Sequence, residues 1–400
     1  MQKIRTYENN IKNGYQLIKT ESDKELLITA IILVVTGLMA VVSASLPLCV
    51  SHHMVPFHYV FQHIFWIICG SLGLWGFSKL DYNHLKKFTF SFAFLVIALM
   101  LIVKFTPFGV TINGARRWLN LGFFQFQPSE FAKPALIILL AGLFSLKREV
   151  FKSNVLKYLF TAGLMIFVVL KQPNLSMTLI LLGVAFFMYI CSGKTLKPIF
   201  IGFLILCGCI GLIATNIIDL TRFIEPYQID RILNWIKSIF AGKSFDIQGG
   251  GYQAFHSMVA ISSGGLFGCG YGAGKEKLGW LPEAHTDFIF SVIAEELGFI
   301  GSLFVILLFL TLFFKGIKIS LNCPTTYGRL LAFGITMSIT MQAVFNISVA
   351  ASFLPATGMT LPFISYGGSS LFTTMSMVGI LLNISKTKLK RIAQININDF

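Results

Sequence analysis

Long apolar runs, broken by short polar and basic stretches, set the rhythm of this 400-residue chain. Ten windows have the length and near absence of charge that a bilayer crossing demands: 27–45, 59–78, 88–106, 131–146, 159–171, 177–192, 198–218, 285–314, 328–350 and 367–384. The fifth is short. The first follows about 25 mixed-charge residues and precedes further spans, which predicts an uncleaved first helix and not a removable leader. The pattern predicts an all-α polytopic membrane protein of about ten transmembrane helices. A large extracytoplasmic loop, roughly 219–284, joins helices 7 and 8. No linker interrupts the pattern, so 27–384 reads as one membrane domain between a tail at 1–26 and a tail at 385–400.

Charge orients that pattern. About two-thirds of the 32 basic residues fall in alternate segments, among them Lys79, Lys86, Lys147, Arg148, Lys194, Lys315 and Lys386. Loops rich in lysine and arginine stay in the cytoplasm, which puts both termini there. The net charge of +15 is explained by this asymmetry, so nucleic acid is not implied. With 55% hydrophobic and 12% charged residues, the composition excludes an ordinary soluble domain. The seven cysteines are odd in number and scattered, with neither a disulfide framework nor a zinc spacing.

The candidate chemistry then falls on the outer side. Residues 279–298 hold four of the few acids, and Pro282 suits the first turn of a helix. Glu283 and Thr286 give that turn acidic and capping character. Asp287 would lie about one turn inside span eight, either as a cap or as a wetted carboxylate at the membrane mouth. Glu295 and Glu296 lie about 12 Å deeper along the axis, off the face of Asp287, and predict a structural or proton-coupled role. Arg116 and Arg117 break the cytoplasmic bias of basic residues, which suits phosphate oxygens or, equally, an interfacial anchor beside Trp118. Lys133, at the start of span four, would add a point charge. Residues 228–240 carry apolar positions at helical spacing, predicting a helix lying in the membrane surface, with Arg231 facing a substrate or solvent. The glycines after it fail as a phosphate loop, because Cys269 and Glu276 stand where glycine and a hydroxyl residue are required. Two prolines and the glycines between Leu354 and Ser370 predict a broken segment, allowed at membrane depth only where protein buries it or a cavity wets it.

Three stretches together resemble the SEDS family (shape, elongation, division and sporulation). They are Ala115-Arg116-Arg117-Trp118 with Gln127-Pro128-Ser129-Glu130-Phe131-Ala132-Lys133, then Leu281-Pro282-Glu283-Ala284-His285-Thr286-Asp287-Phe288, and Leu361-Pro362-Phe363-Ile364-Ser365-Tyr366-Gly367-Gly368-Ser369-Ser370. The resemblance runs from about Asp23 to about Lys386. The last stretch, with Leu381-Leu382-Asn383, is more similar to the FtsW and SpoVE members than to RodA. One departure is Gln172-Pro173-Asn174-Leu175-Ser176, where the family usually has Gln-Pro-Asp-x-Gly.

The resemblance implies a peptidoglycan glycosyltransferase of the bacterial cytoplasmic membrane that polymerises lipid II during cell division. It further implies a class B penicillin-binding protein as transpeptidase partner, other divisome proteins, and a place at the septum. It sets the catalytic aspartate at Asp287 and substrate-binding roles at Arg116, Arg117, Lys133, Arg231, Glu283, His285, Ser365 and Tyr366. Joining two lipid II molecules needs a sugar hydroxyl to attack an anomeric carbon and expel a lipid pyrophosphate. A pyrophosphate held by cations leaves without a proton, so one base and a positive cluster suffice. Asp287 acting as base and Asp287 ligating a divalent cation on the pyrophosphate are both compatible with the sequence. A lipid II flippase, an elongation-type (RodA-like) polymerase and a division scaffold are the rival readings; no repeat between the halves supports the flippase.

Overall fold

The computed structural model describes residues 15–19, 21–51, 53–112, 115–120, 125–193, 235, 251–356 and 358–391. The longer helices among them are α1 (Lys24–Ser51), α2 (His58–Lys79), α3 (Thr89–Phe105), α4 (Ala132–Phe144), α5 (Arg148–Leu170), α6 (Leu175–Cys191), α7 (Tyr252–Ser263), α8 (Ile289–Asn322), α9 (Thr326–Ala350) and α10 (Gly368–Ser385). Six of them are long and apolar enough to cross a membrane: α1, α2, α5, α8, α9 and α10. α3 and α6 are apolar helices of 17 residues each. Predicted span seven, the surface helix at 228–240 and Arg231 lie outside the described residues, Trp235 apart.

Two helices are buried on every side. Every residue of α4 is buried, and so is nearly all of α10, as expected of helices that are apolar all round. α1, α2, α3, α5, α6 and α8 turn exposed leucine, isoleucine or phenylalanine outward, among them Phe61, Ile68, Phe160 and Leu307. α10 lies along α2, where Gly379 sits against the Leu74 carbonyl so closely that a Cβ would collide with it. Small residues let helices approach in lipid, where van der Waals packing replaces the hydrophobic drive. The fifth helix is not short. It starts at Arg148, and Lys157 places its ammonium over the Phe90 ring, so basic residues are carried inside the helix.

The starts of several helices are fixed by side chains. Asp23 accepts from the amide of Leu26, Asn174 from Met177 and Thr325 from Gly328, each satisfying an amide that no helical carbonyl reaches. Short strands add two small sheets. β1 (Tyr15–Lys19) pairs antiparallel with β5 (Thr387–Arg391), which joins the two tails, while β2 (Gly109–Ile112), β3 (Ala115–Asn120) and β4 (Gln125–Phe126) form a sheet between α3 and α4.

α8 is broken at Gly298, whose φ of 66° is left-handed. A continuous helix would bond the amides of Phe299 and Ile300 to the carbonyls of Glu295 and Glu296. Instead Phe299 and Ile300 donate to Gly265 and Leu266, at 2.9 and 3.2 Å. The freed carbonyls of Glu295 and Glu296 accept from Cys269 and Gly270, at 3.0 and 3.1 Å. The glycine-rich loop therefore repairs the break by supplying partners for these four backbone groups.

Candidate active site

A cavity of about 980 Å³ opens at the end of the bundle where α1 and α9 terminate. Its wall combines the C-terminal turns of α1, the first turns of α2, strands β3 and β4, the start of α6, the turn at 277–287 and the segment 355–370. Asp287 is on that wall, and so is Arg117.

Asp287 is not inside a helix. Helical structure begins at Ile289, because Glu283 is left-handed (φ 56°) and its carbonyl accepts from the amides of Thr286, Asp287 and Phe288 at 3.2, 3.1 and 3.3 Å. That knot of bonds makes a ledge of turns over 282–288 in place of the predicted first helical turn. Asn346 on α9 fixes the ledge by donating to the Asp287 carbonyl at 2.8 Å and to Met359 at 2.6 Å. Gly358 lies behind the half-buried carboxylate, where a Cβ would come within 3.5 Å of Oδ2. Glu283 accepts from the Thr286 hydroxyl at 2.8 Å and also faces the cavity.

The adjacent arginines part company. β3 bulges between them: Thr111 pairs with Arg116 and Val110 with Trp118, which leaves Arg117 as the extra residue. Arg117 turns to the cavity and donates from Nε to the Gln172 carbonyl at 3.1 Å and from Nη2 to the Pro173 carbonyl. Arg116 turns away, donating to the carbonyls of Gly109 (3.1 Å) and Thr106, so it closes the exit from α3 and is not on the cavity wall. Lys133 is likewise not on the wall. It is 1% exposed, paired with Glu130 at 2.6 Å and donating to Gln342 Oε1 at 2.5 Å. Glu130 and Gln342 themselves line the cavity, so the lysine stands one shell behind its floor.

His285 and Tyr366 line the cavity, joined by a bond from the Tyr366 amide to the His285 carbonyl at 3.0 Å. Burial pulls the His285 imidazole below its ordinary range, with Glu283 opposing that shift. Ser365 is buried, and its hydroxyl accepts from the Leu361 amide at 2.7 Å, closing a local turn. Glu296 pairs with Lys277 and accepts from Ser43 at 2.5 Å. Glu295 accepts from the amide of Lys275 at 2.6 Å. These two acids clasp the loop that carries the ledge.

Sequence reasoning missed the start of α2. His58, Tyr59 and Gln62 all face the cavity. The signal was three polar or amphipathic residues, two adjacent and the third one turn on, at the head of an apolar span. Among the described residues no three of His, Cys, Asp and Glu cluster to hold a metal. A divalent ion at Asp287 and Glu283 would complete its shell from phosphate oxygens and water.

A family model described as cell cycle protein matches residues 23–390. Stage V sporulation protein E of Bacillus subtilis (strain 168) is 34% identical over 375 residues, covering 92% of this chain and 98% of that protein. A probable peptidoglycan glycosyltransferase FtsW of Geobacter sp. (strain M18) is 35% identical over 381 residues, covering 93% and 97%. A solved structure concerned with the coordination of polymerization and crosslinking by a peptidoglycan synthase complex matches with a TM-score of 0.71 at 26% identity, over 91% of this chain and 97% of that one. The crystal structure of the rod shape determining protein RodA of Thermus thermophilus matches at 0.64 and 25% identity, over 91% and 96%.

Proposed function

This chain belongs to the FtsW/RodA/SpoVE family, the SEDS proteins, and from that premise we propose that it is a peptidoglycan glycosyltransferase polymerising lipid II. The observation that carries the reading is one cavity with an acid, Asp287, and a cation, Arg117, both held by backbone bonds that fix where they stand. Asp287 takes the proton from the acceptor sugar hydroxyl as that oxygen attacks the donor's anomeric carbon. The bond to the pyrophosphate oxygen breaks, and Arg117 holds the departing undecaprenyl pyrophosphate. A base aimed at one atom and a fixed cation at the other lower the barrier without reorganisation during reaction. Lys133 and Arg116 support this site from behind: the first orients Glu130 and Gln342 at the floor, the second secures the strand that presents Arg117. Glu283, His285 and Tyr366 shape the acceptor side, Ser365 holds their turn, and Arg231 remains a proposed contact from the loop.

The finer reading is a ten-span membrane domain over 27–384 between tails at 1–26 and 385–400. Both tails are cytoplasmic, the loop between spans seven and eight is outside, and the cavity faces outward in the cytoplasmic membrane. The similarity to FtsW and SpoVE supports a role in division, at the septum, with divisome proteins. The match to a synthase complex supports a class B penicillin-binding protein as crosslinking partner. Purified protein given lipid II tests the reading. Wild type forms glycan strands, and Asp287→Asn, folded and still binding its partner, loses at least a hundredfold in rate. Normal polymerisation by that variant removes Asp287 from catalysis. Movement of lipid II across the bilayer without polymer would favour a flippase.

A further inference from the structure

Tyr59, at the second position of α2, packs against two cavity-lining rings: His285 at 4.9 Å between centroids, and Tyr366 edge-on at 5.2 Å. His285 and Tyr366 lie 5.6 Å apart, so the three rings form one continuous aromatic wall. Its polar edge is built too. The Tyr366 hydroxyl donates to Gln62 Oε1, and Gln62 Nε2 meets His58 Nε2 at 3.1 Å. All five residues face the cavity, and Tyr59 is half-buried, leaving part of its ring toward the open space. His285 is two residues from Asp287 on the same ledge, whereas Arg117 reaches the cavity from β3 and is tied to the turn before α6. The wall therefore belongs to the side of the site where the base stands.

A pyranose of the glucosamine configuration turns three axial C–H bonds to one face. Those polarised hydrogens match the negative face of an aromatic ring, and its equatorial hydroxyl and acetamido groups reach outward to amide and imidazole partners. The geometry points to a saccharide platform: Tyr59, backed by His285 and Tyr366, stacks the acceptor's N-acetylhexosamine ring, and Gln62 and His58 bond its equatorial groups. This rests on the glycosyltransferase reading for the word acceptor, but not for the binding itself. Stacking is what brings the attacking hydroxyl to Asp287, so Tyr59 positions the acceptor and takes no proton. Loss of the stacking ring is expected to weaken acceptor binding threefold to tenfold, equivalent to roughly 0.7–1.4 kcal/mol at 1.4 kcal/mol per decade.

The test uses the full chain in lipid nanodiscs with β-methyl N-acetylglucosaminide as probe, read by saturation-transfer NMR, beside lipid II polymerisation. Saturation concentrated on H1, H3 and H5 of the sugar is expected for wild type and Tyr59→Phe. Tyr59→Leu is expected to lose most of that signal and to raise KM for lipid II threefold to tenfold with less change in kcat. Wild-type saturation in Tyr59→Leu, or polymerisation with no saccharide binding by the wild type, overturns the platform. Should Tyr59→Leu fail to fold, fluorotyrosine-labelled wild type replaces it, with the Tyr59 resonance assigned by its loss in Tyr59→Phe. A shift of that resonance on titration supports the platform, and an unmoved resonance overturns it. Absence of polymerisation alongside an intact, Tyr59-dependent saccharide signal would instead sink the glycosyltransferase reading and leave the platform standing.

Discussion

Arg116 and Arg117 are chain neighbours with the same charge, yet only the second faces the cavity, because Arg117 is the extra residue of a bulge between the pairs Thr111–Arg116 and Val110–Trp118. A run of two arginines in the sequence predicts a doubled cation; the strand at 115–120 splits it into one cation for the site and one bracket for the strand. Lys133 shows the same displacement by a different cause. A lysine inside an apolar helix cannot stay charged without a partner, and Glu130 three residues earlier provides one at 2.6 Å. Removing only the lysine would leave a buried carboxylate uncompensated, so Lys133→Met is expected to cost about 3–5 kcal/mol. Adding Glu130→Gln to it is expected to restore part of that loss, as read by thermal unfolding of the purified variants; equal stability of the single variant and wild type would contradict the pairing. His285 gives a pH-dependent counterpart. Its folded pKa lies below the unfolded value near 6.5, so between the two the unfolded chain binds more protons. The stability this residue contributes is therefore complete above about pH 6.5 and is lost as pH falls through the folded value. Thermal midpoints measured from pH 7.5 downward are expected to fall less steeply in His285→Gln than in wild type.

Elements decide where those residues stand. The ledge at 282–288 was legible as a helix entrance from Pro282, Glu283 and Thr286, but its true form depends on the left-handed Glu283, which no local pattern announces. The break in α8 was still less legible. A lone glycine in a helical pattern is usually tolerated, and Gly298 becomes a break only because the loop at 265–270 supplies partners for four backbone groups. Asn174 keeps its element intact, since asparagine caps a helix as well as aspartate does; it accepts from the amide of Met177. The α8 break carries a direct prediction. An alanine at position 298 would be held at positive φ and would drive its Cβ into the backbone of Leu266 and Gly268. Gly298→Ala is expected to lower stability by about 1–3 kcal/mol from the positive-φ, extended backbone alone. It is also expected to speed amide exchange of Cys269, Gly270, Phe299 and Ile300, while α9 amides such as Ile339 stay protected. Unchanged exchange at those four positions would mean the loop does not depend on the break.

At the scale of the molecule, hydropathy gave away nine of the ten predicted spans as helices of the described residues, since length and the lack of charge are local properties. The cavity was legible in part: Asp287, Arg117, Glu283, His285 and Tyr366 come together on it from motifs far apart in the chain. Tyr59 and Gln62 went unseen because, in sequence, they are polar positions at the end of one more apolar helix. What the bundle owes to its solvent is orientation, which packing alone does not set. The ends of α1 and α9 lie at the cavity, while Lys79, Lys147 and Lys386 lie at helix ends remote from it in the chain's up-and-down course. If basic loops are retained in the cytoplasm, each of these must be shielded from an external reagent and the cavity rim exposed to it. In a variant cleared of its seven cysteines, single cysteines at Ser51 and Pro282 are expected to react with a membrane-impermeant maleimide on intact cells. Cysteines at Lys79, Lys147 and Lys386 are expected to react only after permeabilisation. The reverse pattern would turn the cavity toward the cytoplasm, away from the growing wall, and polymerisation could not then be its task.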